Sequence, residues 1–382
     1  MMATALSPEQ ARTLRLCAQR LTRREPDAVM GAEQVTRIVQ HLCGVQAQYE
    51  AAAALAARVR GAGLVAGDIE RARVDERTLV RTWLMRGTLH LVTSADLGWL
   101  LPLLGPVFAA GGRRRRLQLG LDDDTAARGL RLLRDALAAH GPLTRTQIVE
   151  QLDHHGLRLA GQARPHLIAL AAQRGILCHG PGRADGEPAY ALLDDWLPER
   201  GQSLPPAEAL AALARRYLAA YGPAGVDDLA AWSGLPVSQA HDAWQRIAGE
   251  LLAVEIAGRP ASMLAAHAAR LDEPADPTPS LRLLAGYDPY LLGYRSRELA
   301  VAPAHARHIH PGGGVLHPTL LVDGRALGTW RSATHRDRLE VIVAPFAPLP
   351  AAILPALAAE AADVGRFLGL RATLRVEEEA GG

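Results

Sequence analysis

The sequence predicts an α+β protein with three tandem winged-helix modules and a C-terminal β-rich domain. Helical periodicity alternates with short strand-like runs along most of the chain, as it does in winged helices. One pattern recurs, as Leu-Ala-Ala-His-Gly-Pro at 137–142 and Leu-Ala-Ala-Tyr-Gly-Pro at 218–223, which indicates a duplicated unit. Beyond residue 280 strand-like runs dominate, and Asp323-Gly324 between two of them is a strong hairpin-turn signal.

The second module, 117–200, shows the complete winged-helix order. Thr144 is the expected N-cap of its middle helix, and Gly175 is expected to end its third helix. A turn over 180–188 joins its two strands into a hairpin. The expected elements are helices over 125–140, 144–152 and 164–174 and strands over 176–179 and 189–193.

The third module, 204–275, and the first module, 1–112, repeat this plan with weaker signals. In the first module we expect Ser94 to cap a helix that runs toward Leu104. Residues 113–116, four consecutive arginines, are expected to lie in a linker. The third module is expected to have helices over 208–221, 227–232 and 238–249, a strand over 251–256 and a turn over 258–260. The first is expected to have helices over 8–21, 32–42 and 50–60 and a hairpin of 79–84 with 88–92.

The C-terminal domain, 280–382, is expected to be a mixed β-rich domain. A long apolar-periodic run near its end predicts one helix. The expected strands are 281–285, 319–322, 326–330, 339–343 and 372–376, and the helix is 350–368.

The composition favours a protein with hydrophobic cores, since 49% of its 382 residues are hydrophobic. The first 25 residues lack the apolar run of a signal peptide. The longest apolar stretch, 98–112, is expected to be broken by Pro102 and Pro106, and it falls short of the roughly 20 residues needed to span a bilayer. We therefore expect a soluble, cytoplasmic monomer with no membrane partner.

The distribution of charge is more informative than the net charge of +2. Between Arg282 and Arg338 there are eight arginines against four acidic residues, which is typical of a surface that binds a polyanion, or of a solvated basic face. The three cysteines are far apart and lack metal-finger spacing, so we expect reduced thiols and neither a metal nor a cofactor.

Gln46 and Gln48 lie two residues apart after a predicted helix that ends near Gly44. In a helix these positions face different directions, but in an extended segment both amides face the same side. Each amide has a carbonyl acceptor and an NH2 donor, so the pair can hold and orient a water molecule, although neither is a strong base. The pair therefore suits a reaction whose leaving group is already activated. Glutamines that only bond to the backbone are the alternative.

Loss of a purine alkylated at N7 is such a reaction. The cationic base leaves as a neutral molecule, and the sugar gains oxocarbenium character, as in glycoside hydrolysis. The protein then has to position water and stabilise charge. The sequence contains no lysine, so no side-chain amine can form a Schiff base, which predicts hydrolysis without a lyase step.

Four blocks of the sequence are distinctive in combination. They are Gly-Val-Gln-Ala-Gln-Tyr at 44–49, Arg-Thr-Trp-Leu-Met-Arg-Gly-Thr-Leu-His at 81–90, Gly-Tyr-Asp-Pro-Tyr-Leu-Leu-Gly at 286–293 and His-Pro-Thr-Leu-Leu-Val-Asp-Gly-Arg-Ala-Leu-Gly-Thr-Trp-Arg at 317–331. With them, nearly the whole chain resembles the AlkZ-type DNA glycosylases, a tandem winged-helix family that excises bulky N7-alkylpurine lesions and unhooks interstrand crosslinks.

The resemblance implies a catalytic role for Gln46 and Gln48 and a partner that is damaged double-stranded DNA. The family has glutamine or histidine at the first motif position. Gln46 implies the narrower enzymes for crosslinks and bulky adducts, often resistance proteins of antibiotic producers. The resemblance also implies that the hairpin at 323–325 enters a DNA groove. We expect DNA contacts from Tyr49, Arg86, His90, Arg295, Arg325 and Arg331.

Some residues allow two interpretations. Arg86 is either a phosphate clamp or a structural hairpin residue. Glu50 either stabilises the oxocarbenium or only begins a helix, and Asp288 is either a catalyst or a turn residue. Four histidines, at 305, 308, 310 and 317, form either a metal site or a mobile loop that touches DNA.

The competing function is a non-catalytic winged-helix DNA-binding regulator or damage sensor. Winged helices mostly bind nucleic acid without cutting it, and a fold does not determine a function. RNA or protein binding is a third possibility. The substitution Gln46→Ala separates the two functions. A glycosylase should lose turnover and keep its DNA affinity, whereas a binder should be unaffected.

Overall fold

The computed structural model describes residues 4–24, 29–182, 187–273 and 278–377. The predicted turn at 180–188 falls partly outside these residues. The helices are α1 (Pro8–Ala18), α2 (Gly31–His41), α3 (Glu50–Arg58), α4 (Ala66–Glu70), α5 (Ser94–Gly111), α6 (Arg113–Gln118), α7 (Asp123–His140), α8 (Arg145–His154), α9 (Ala163–Gln173), α10 (Leu193–Trp196), α11 (Pro206–Tyr221), α12 (Val226–Ser233), α13 (Val237–Arg246), α14 (Pro289–Leu292), α15 (Ala306–Ile309) and α16 (Leu354–Leu368).

The strands are short except in the C-terminal part of the chain. They are β1 (Thr4–Leu6), β2 (Val45–Gln46), β3 (Leu79–Trp83), β4 (Leu89–Thr93), β5 (Leu143–Thr144), β6 (Leu177–His179), β7 (Ala189–Leu192), β8 (Leu251–Ile256), β9 (Arg259–Leu264), β10 (Leu281–Leu284), β11 (Thr319–Val322), β12 (Arg325–His335), β13 (Arg338–Pro345) and β14 (Arg371–Val376). This content of helices and strands confirms the α+β class.

The chain forms two compact units. The first combines Met1–Glu70 with Leu210–Gly382, and the second is Arg71–Ala209. The division into 1–112, 117–200, 204–275 and 280–382 remains a prediction, because one compact unit can hold more than one module.

The first unit contains two separate sheets. The larger has the order β10-β11-β12-β13-β14, antiparallel except for the parallel pair of β13 with β14. Helix α16 packs on this sheet, and its Leu357 and Val364 join Trp330 and Val341 in the core between them. The smaller sheet has the order β1-β8-β9, with β1 parallel to β8.

The second unit is organised around the strands β4-β3-β6-β7-β5 and the helices α7, α8 and α9. Its core is aliphatic, with Leu133, Leu137, Ile148 and Leu167 all nearly inaccessible to solvent. Thr144 is the N-cap of α8, as predicted, and forms a capping box with Gln147.

One order of elements recurs along the described chain: helix, strand, helix, helix, strand, strand. It is α7, β5, α8, α9, β6, β7 in the second unit, where β5 pairs with β7. After α11, Ala224 bridges to Ser262 in the strand position that precedes α12, α13, β8 and β9. The elements α2, β2, α3, α4, β3 and β4 follow the same order. This is the order of a winged helix, and the number of such modules stays a prediction.

Several local predictions are wrong. Thr93, not Ser94, caps α5, because its hydroxyl accepts the amide of Asp96 and also donates to that carboxylate. Residues 113–116 are not a linker but begin α6, since Arg116 turns back and donates to the Ala109 carbonyl at 2.7 Å.

Three strands in the first unit, β1, β2 and β9, were not predicted. The predicted turn at 258–260 lies one residue too late, because the turn is Ala257-Gly258, both with positive φ, and Arg259 already belongs to β9. Strand β1 is three residues long and is ordered by pairing with β8, more than 240 residues away, so no local pattern reveals it.

Helix α5 runs through Pro102 and Pro106 without interruption, so the expected break at these prolines is wrong. Packing of its leucines within the second unit outweighs the hydrogen bonds that the prolines cannot make. By length and composition α5 could cross a membrane, and 44% of it is buried in the protein. Its packing against α9 is what a core helix shows.

Among the described glycines of the second unit, Gly98 in α5 lies closest to a neighbouring backbone, that of Gly201. A Cβ there would lie 1.7 Å from the carbonyl oxygen of Gly201, whereas a Cβ at Gly111 of the same helix would meet nothing within 4 Å. We expect Gly98→Ala to lower the free energy of unfolding by about 1–3 kcal/mol through overpacking. Gly111→Ala, the matched control, should be neutral or up to about 1 kcal/mol more stable. Urea unfolding of both variants checks this, and equal stabilities would contradict it.

Candidate active site

The glutamine motif begins at the end of a short strand and continues through a bend at Gln48, so only its first residue lies in an extended element. Gln46 ends β2, and α3 begins at Glu50. Burial alternates along it: Val45 and Ala47 are 1% exposed, Gln46 is half-buried and Gln48 is exposed. Val45 and Ala47 therefore anchor the segment, and the alternating burial is the pattern that both amides on the other side would produce.

Helix α3 follows the motif and is anchored at its far end by Arg58. This side chain is fully buried and bonds to Glu360 at 3.0 Å and to Asp363 at 2.9 Å, both on α16. Arg24 bonds to the same two carboxylates. Burial alone would raise the pKa of Asp363, but the neighbouring arginines, Arg24 first, outweigh it and lower that pKa. The network fixes α3, and with it the motif, to the C-terminal helix.

Arg60 makes a second anchor just beyond α3. Its guanidinium bonds to both carboxylate oxygens of Asp288, at 2.8 and 2.9 Å, and both side chains are fully buried. The Arg60 side chain also donates to the backbone and side-chain oxygens of Gln19. The carboxylate of Asp288 in turn accepts the amide of Tyr290 and caps α14. Asp288 is therefore a structural residue, which agrees with its interpretation as a turn residue.

Tyr287 precedes Asp288 and meets Tyr49, the residue after Gln48. Their ring centroids are 5.8 Å apart and the rings are tilted by 33°. Tyr287 has a positive φ of 62°, which is unusual for a residue with a side chain. Burial raises the pKa of the Tyr287 hydroxyl and Tyr49 adds to the shift, while a hydrogen bond with the Leu316 backbone opposes it. The aromatic pair thus lies beside the glutamine motif.

The motif at 81–90 forms the predicted hairpin of β3 and β4 in the second unit. Arg86 occupies its turn with a positive φ of 56° and is half-buried. His90 is only 2% exposed, and its Nδ1 lies 3.0 Å from the Thr88 carbonyl. Burial, with a smaller effect of Arg86, lowers the pKa of His90 to about 3, so this ring is neutral at physiological pH. The expected DNA contact by His90 is not supported, because the side chain is enclosed.

The Asp323-Gly324 turn joins β11 and β12, as predicted, with positive φ at both residues. It is held down: Tyr290 donates to the Gly324 carbonyl at 3.1 Å, and Asp323 accepts the amide of Ser280. Arg325 follows the turn and is exposed.

Two further predicted DNA contacts are exposed arginines that already have acidic partners. Arg331 bonds to Glu377 through two contacts of 2.7 and 3.1 Å. Arg295 bonds to Asp227 at 2.5 Å. Both pairs exchange readily with solvent ions, since exposed ion pairs contribute only about 0–1 kcal/mol.

The histidines at 305–317 are not gathered into a metal-like cluster within the described residues. His305 stacks on Phe346 with centroids 4.3 Å apart, and His308 lies 5.5 Å from the same ring. Helix α15 runs through this segment, so part of the predicted loop is helical.

Sequence reasoning missed Arg60 and Tyr287. Tyr287 lies in one of the distinctive blocks, but its contact with Tyr49 joins positions 238 residues apart. In the sequence, Arg60 resembles any other arginine at the end of a helix. Only the structure distinguishes it, through its buried ion pair with Asp288.

We expect Asp288→Asn to lower the free energy of unfolding by about 3–5 kcal/mol, because it leaves the buried charge of Arg60 without an ionic partner. Asp242→Asn is the control, since Asp242 pairs with Arg246 on an exposed helix face and should cost about 0.5 kcal/mol or less. Denaturant unfolding of the two variants measures the difference. A similar small loss in both would show that the Arg60–Asp288 pair does not anchor the fold.

The chain is similar to known proteins over most of its length. A family model described as DNA glycosylase AlkZ-like matches residues 39–367, which include the glutamine motif and all but the last residue of α16. A Streptomyces sahachiroi protein described as an interstrand DNA cross-link repair glycosylase is 31% identical over 354 residues, covering 87% of this chain and 90% of its own length. The solved structure of Streptomyces sahachiroi DNA glycosylase AlkZ matches with a TM-score of 0.82 and 28% identity, over 98% of this chain and all of that one.

These matches confirm the resemblance and the fold class and do not favour a non-catalytic DNA binder. Their extent leaves no large part of the chain unmatched. The chain belongs to the AlkZ-like DNA glycosylase family and is a DNA glycosylase.

Proposed function

We propose that this glycosylase hydrolyses the bond between deoxyribose and a purine alkylated at N7, with Gln46 and Gln48 holding the attacking water. The observation that carries the proposal is the alternating burial of residues 45–48, which supports two amides on one side of an anchored segment. Two amides can both accept hydrogen bonds from one water molecule and donate hydrogen bonds to it, which fixes its direction of attack.

The reaction balances without a strong base in the protein. As the C1′–N9 bond breaks, its electron pair moves to N9 and neutralises the cationic purine. The sugar becomes an oxocarbenium-like centre, the water oxygen bonds to C1′, and the proton released passes to solvent. The amide carbonyl oxygens of Gln46 and Gln48 stabilise the partial positive charge on the attacking water. An undamaged purine should not react, since it is a much poorer leaving group.

The enzyme is proposed to be monofunctional. A lyase step needs an amine that attacks C1′ and forms a Schiff base, and the sequence offers no lysine for it. Only the terminal amine remains. The product is therefore an abasic site in an uncut strand.

The substrate is proposed to be double-stranded DNA with a bulky or crosslinked N7-alkylpurine, by analogy with the Streptomyces sahachiroi relative, an interstrand DNA cross-link repair glycosylase. Self-resistance to a DNA-alkylating natural product would be its biological role. We propose that it acts in the cytoplasm as a monomer, apart from any membrane.

DNA contacts are proposed for Tyr49, Arg86, Arg295, Arg325 and Arg331. The arginines at 295, 325 and 331 are exposed and can exchange acidic partners or water for phosphate oxygens. Arg86 occupies the strained turn of the β3–β4 hairpin, which suits either a phosphate clamp or a structural role. Glu50 starts α3 and is exposed, so its charge would favour the helix N-terminus.

The lyase question is tested with a duplex that contains one N7-alkylguanine. We expect the free base to be released and the strand to break only after alkali treatment, because hydrolysis leaves an abasic site. Gel analysis before and after alkali, with chromatography of the released base, measures both steps. Breaks without alkali would contradict the monofunctional proposal, and no release from any N7 adduct would contradict this substrate class.

The role of the motif is tested with Gln46→Ala. We expect single-turnover base release to fall about 100-fold or more, as for other groups that position or stabilise the reacting centre, while affinity for the lesion duplex changes little. Gln40→Ala is the matched control, because Gln40 is exposed on α2 and should keep full activity. Equal activity of the two variants would remove Gln46 from the mechanism.

A further inference from the structure

The two tyrosines beside the glutamine motif differ in burial from the other tyrosines of the chain. Five of the seven tyrosines in the chain are buried. The other two, Tyr49 and Tyr287, pack against each other, and Tyr49 directly follows Gln48 in the sequence. Tyr49 is 61% exposed, the highest value among the large hydrophobic side chains of the described residues. This exposed ring lies next to the proposed reaction site, where it can stack on a base.

We propose that the ring of Tyr49, supported by Tyr287, stacks on a nucleobase at the lesion. This inference rests on the proposed function, because it assumes that Gln46 and Gln48 mark the place where the glycosidic bond breaks. A stacking contact accepts any planar base, so it binds the DNA at the lesion without reading its sequence. It also suits a purine that carries a bulky planar substituent.

The geometry leaves room for such a contact. The tilt of 33° and the centroid separation of 5.8 Å place Tyr287 against one part of the Tyr49 ring. The remaining surface of Tyr49 is open to solvent. Tyr49 also precedes α3 without making a side-chain cap hydrogen bond, so its side chain is not used to begin the helix.

The support beneath the pair is rigid. Tyr287 is half-buried against the core of the first unit and has the constrained backbone of a positive φ. The next residue, Asp288, is fixed by Arg60 in a pair that is inaccessible to solvent. Arg60 itself lies two residues beyond α3, the helix that Tyr49 precedes. Both rings are thus connected to the same buried ion pair, which lowers the entropy that binding would otherwise cost.

The proposal is tested by binding, with catalysis prevented. The probe is a duplex that carries a 2′-fluoro-stabilised guanine with a bulky planar N7-alkyl substituent, with 2-aminopurine on its 5′ or 3′ side, and an undamaged duplex is its reference. The variants are Tyr49→Ala, Tyr49→Phe and Met30→Ala. Met30 is the matched control, because it is a large hydrophobic side chain that is 60% exposed and lies in the same unit.

We expect Tyr49→Ala to weaken binding of the lesion duplex about tenfold or more and to remove 2-aminopurine quenching on the side that stacks. Tyr49→Phe should bind within about twofold of the original protein, since the ring is kept. Quenching on neither side, with the affinity still lost, assigns the contact to the damaged base itself. Thermal unfolding should not distinguish Tyr49→Ala from Met30→Ala, because an exposed ring adds little to stability.

Two results would overturn the proposal. One is equal affinity of Tyr49→Ala and Met30→Ala for the lesion duplex. The other is an equal loss of affinity for lesion and undamaged duplexes, which would make Tyr49 a general DNA contact. Neither measurement needs turnover, so failure of the original protein to release any base would contradict the proposed function and leave the stacking test valid.

Discussion

The buried pair of Arg60 and Asp288 is the constraint on which the proposed site depends. It joins the end of the α3 segment to the start of α14, two elements more than 220 residues apart in the chain. Two charges without solvent contact are stable only when they are close and their remaining donors and acceptors are used. Here Arg60 also donates to the backbone carbonyls of Gln19 and Ala56, and Asp288 also accepts the backbone amide of Tyr290. The pair therefore allows only one arrangement of the two elements that carry the aromatic pair.

The site has two departures from common local rules, and other positions in the chain share each of them. Helix α8 begins with a complete capping box of Thr144 and Gln147, whereas α3, in the corresponding position, begins with Tyr49 and no side-chain cap. Tyr287 has a left-handed backbone that would suit glycine. Such departures persist only where surrounding packing enforces them, and they concentrate at functional sites.

The same packing explains why a distinctive block need not be catalytic. In the block at 286–293, Asp288 and Tyr290 are buried and hydrogen-bonded, and Gly293 lets Tyr221 approach where a Cβ would lie 2.4 Å from its ring. Tyr287 is the residue of this block whose ring contacts Tyr49, next to the motif. Sequence alone would not separate this residue from the structural residues of the block.

The sequence by itself determined the elements whose causes are local. Helical periodicity located α7, Thr144 and Gly175 marked helix ends, and Asp323-Gly324 specified a hairpin, because caps and turns depend on a few adjacent residues. The absence of lysine and the spacing of Gln46 and Gln48 are the sequence features on which the proposed chemistry rests.

Tertiary structure decided what depends on distant partners. It ordered β1 through β8, kept α5 helical through Pro102, and enclosed His90. It also turned Asp288 into the partner of Arg60 and brought Tyr287 to Tyr49. The physical reason is that burial and ion pairing act between residues that are close in space, and their free energies outweigh local preferences. The neighbouring residues in the sequence therefore carry no pattern that reveals these contacts.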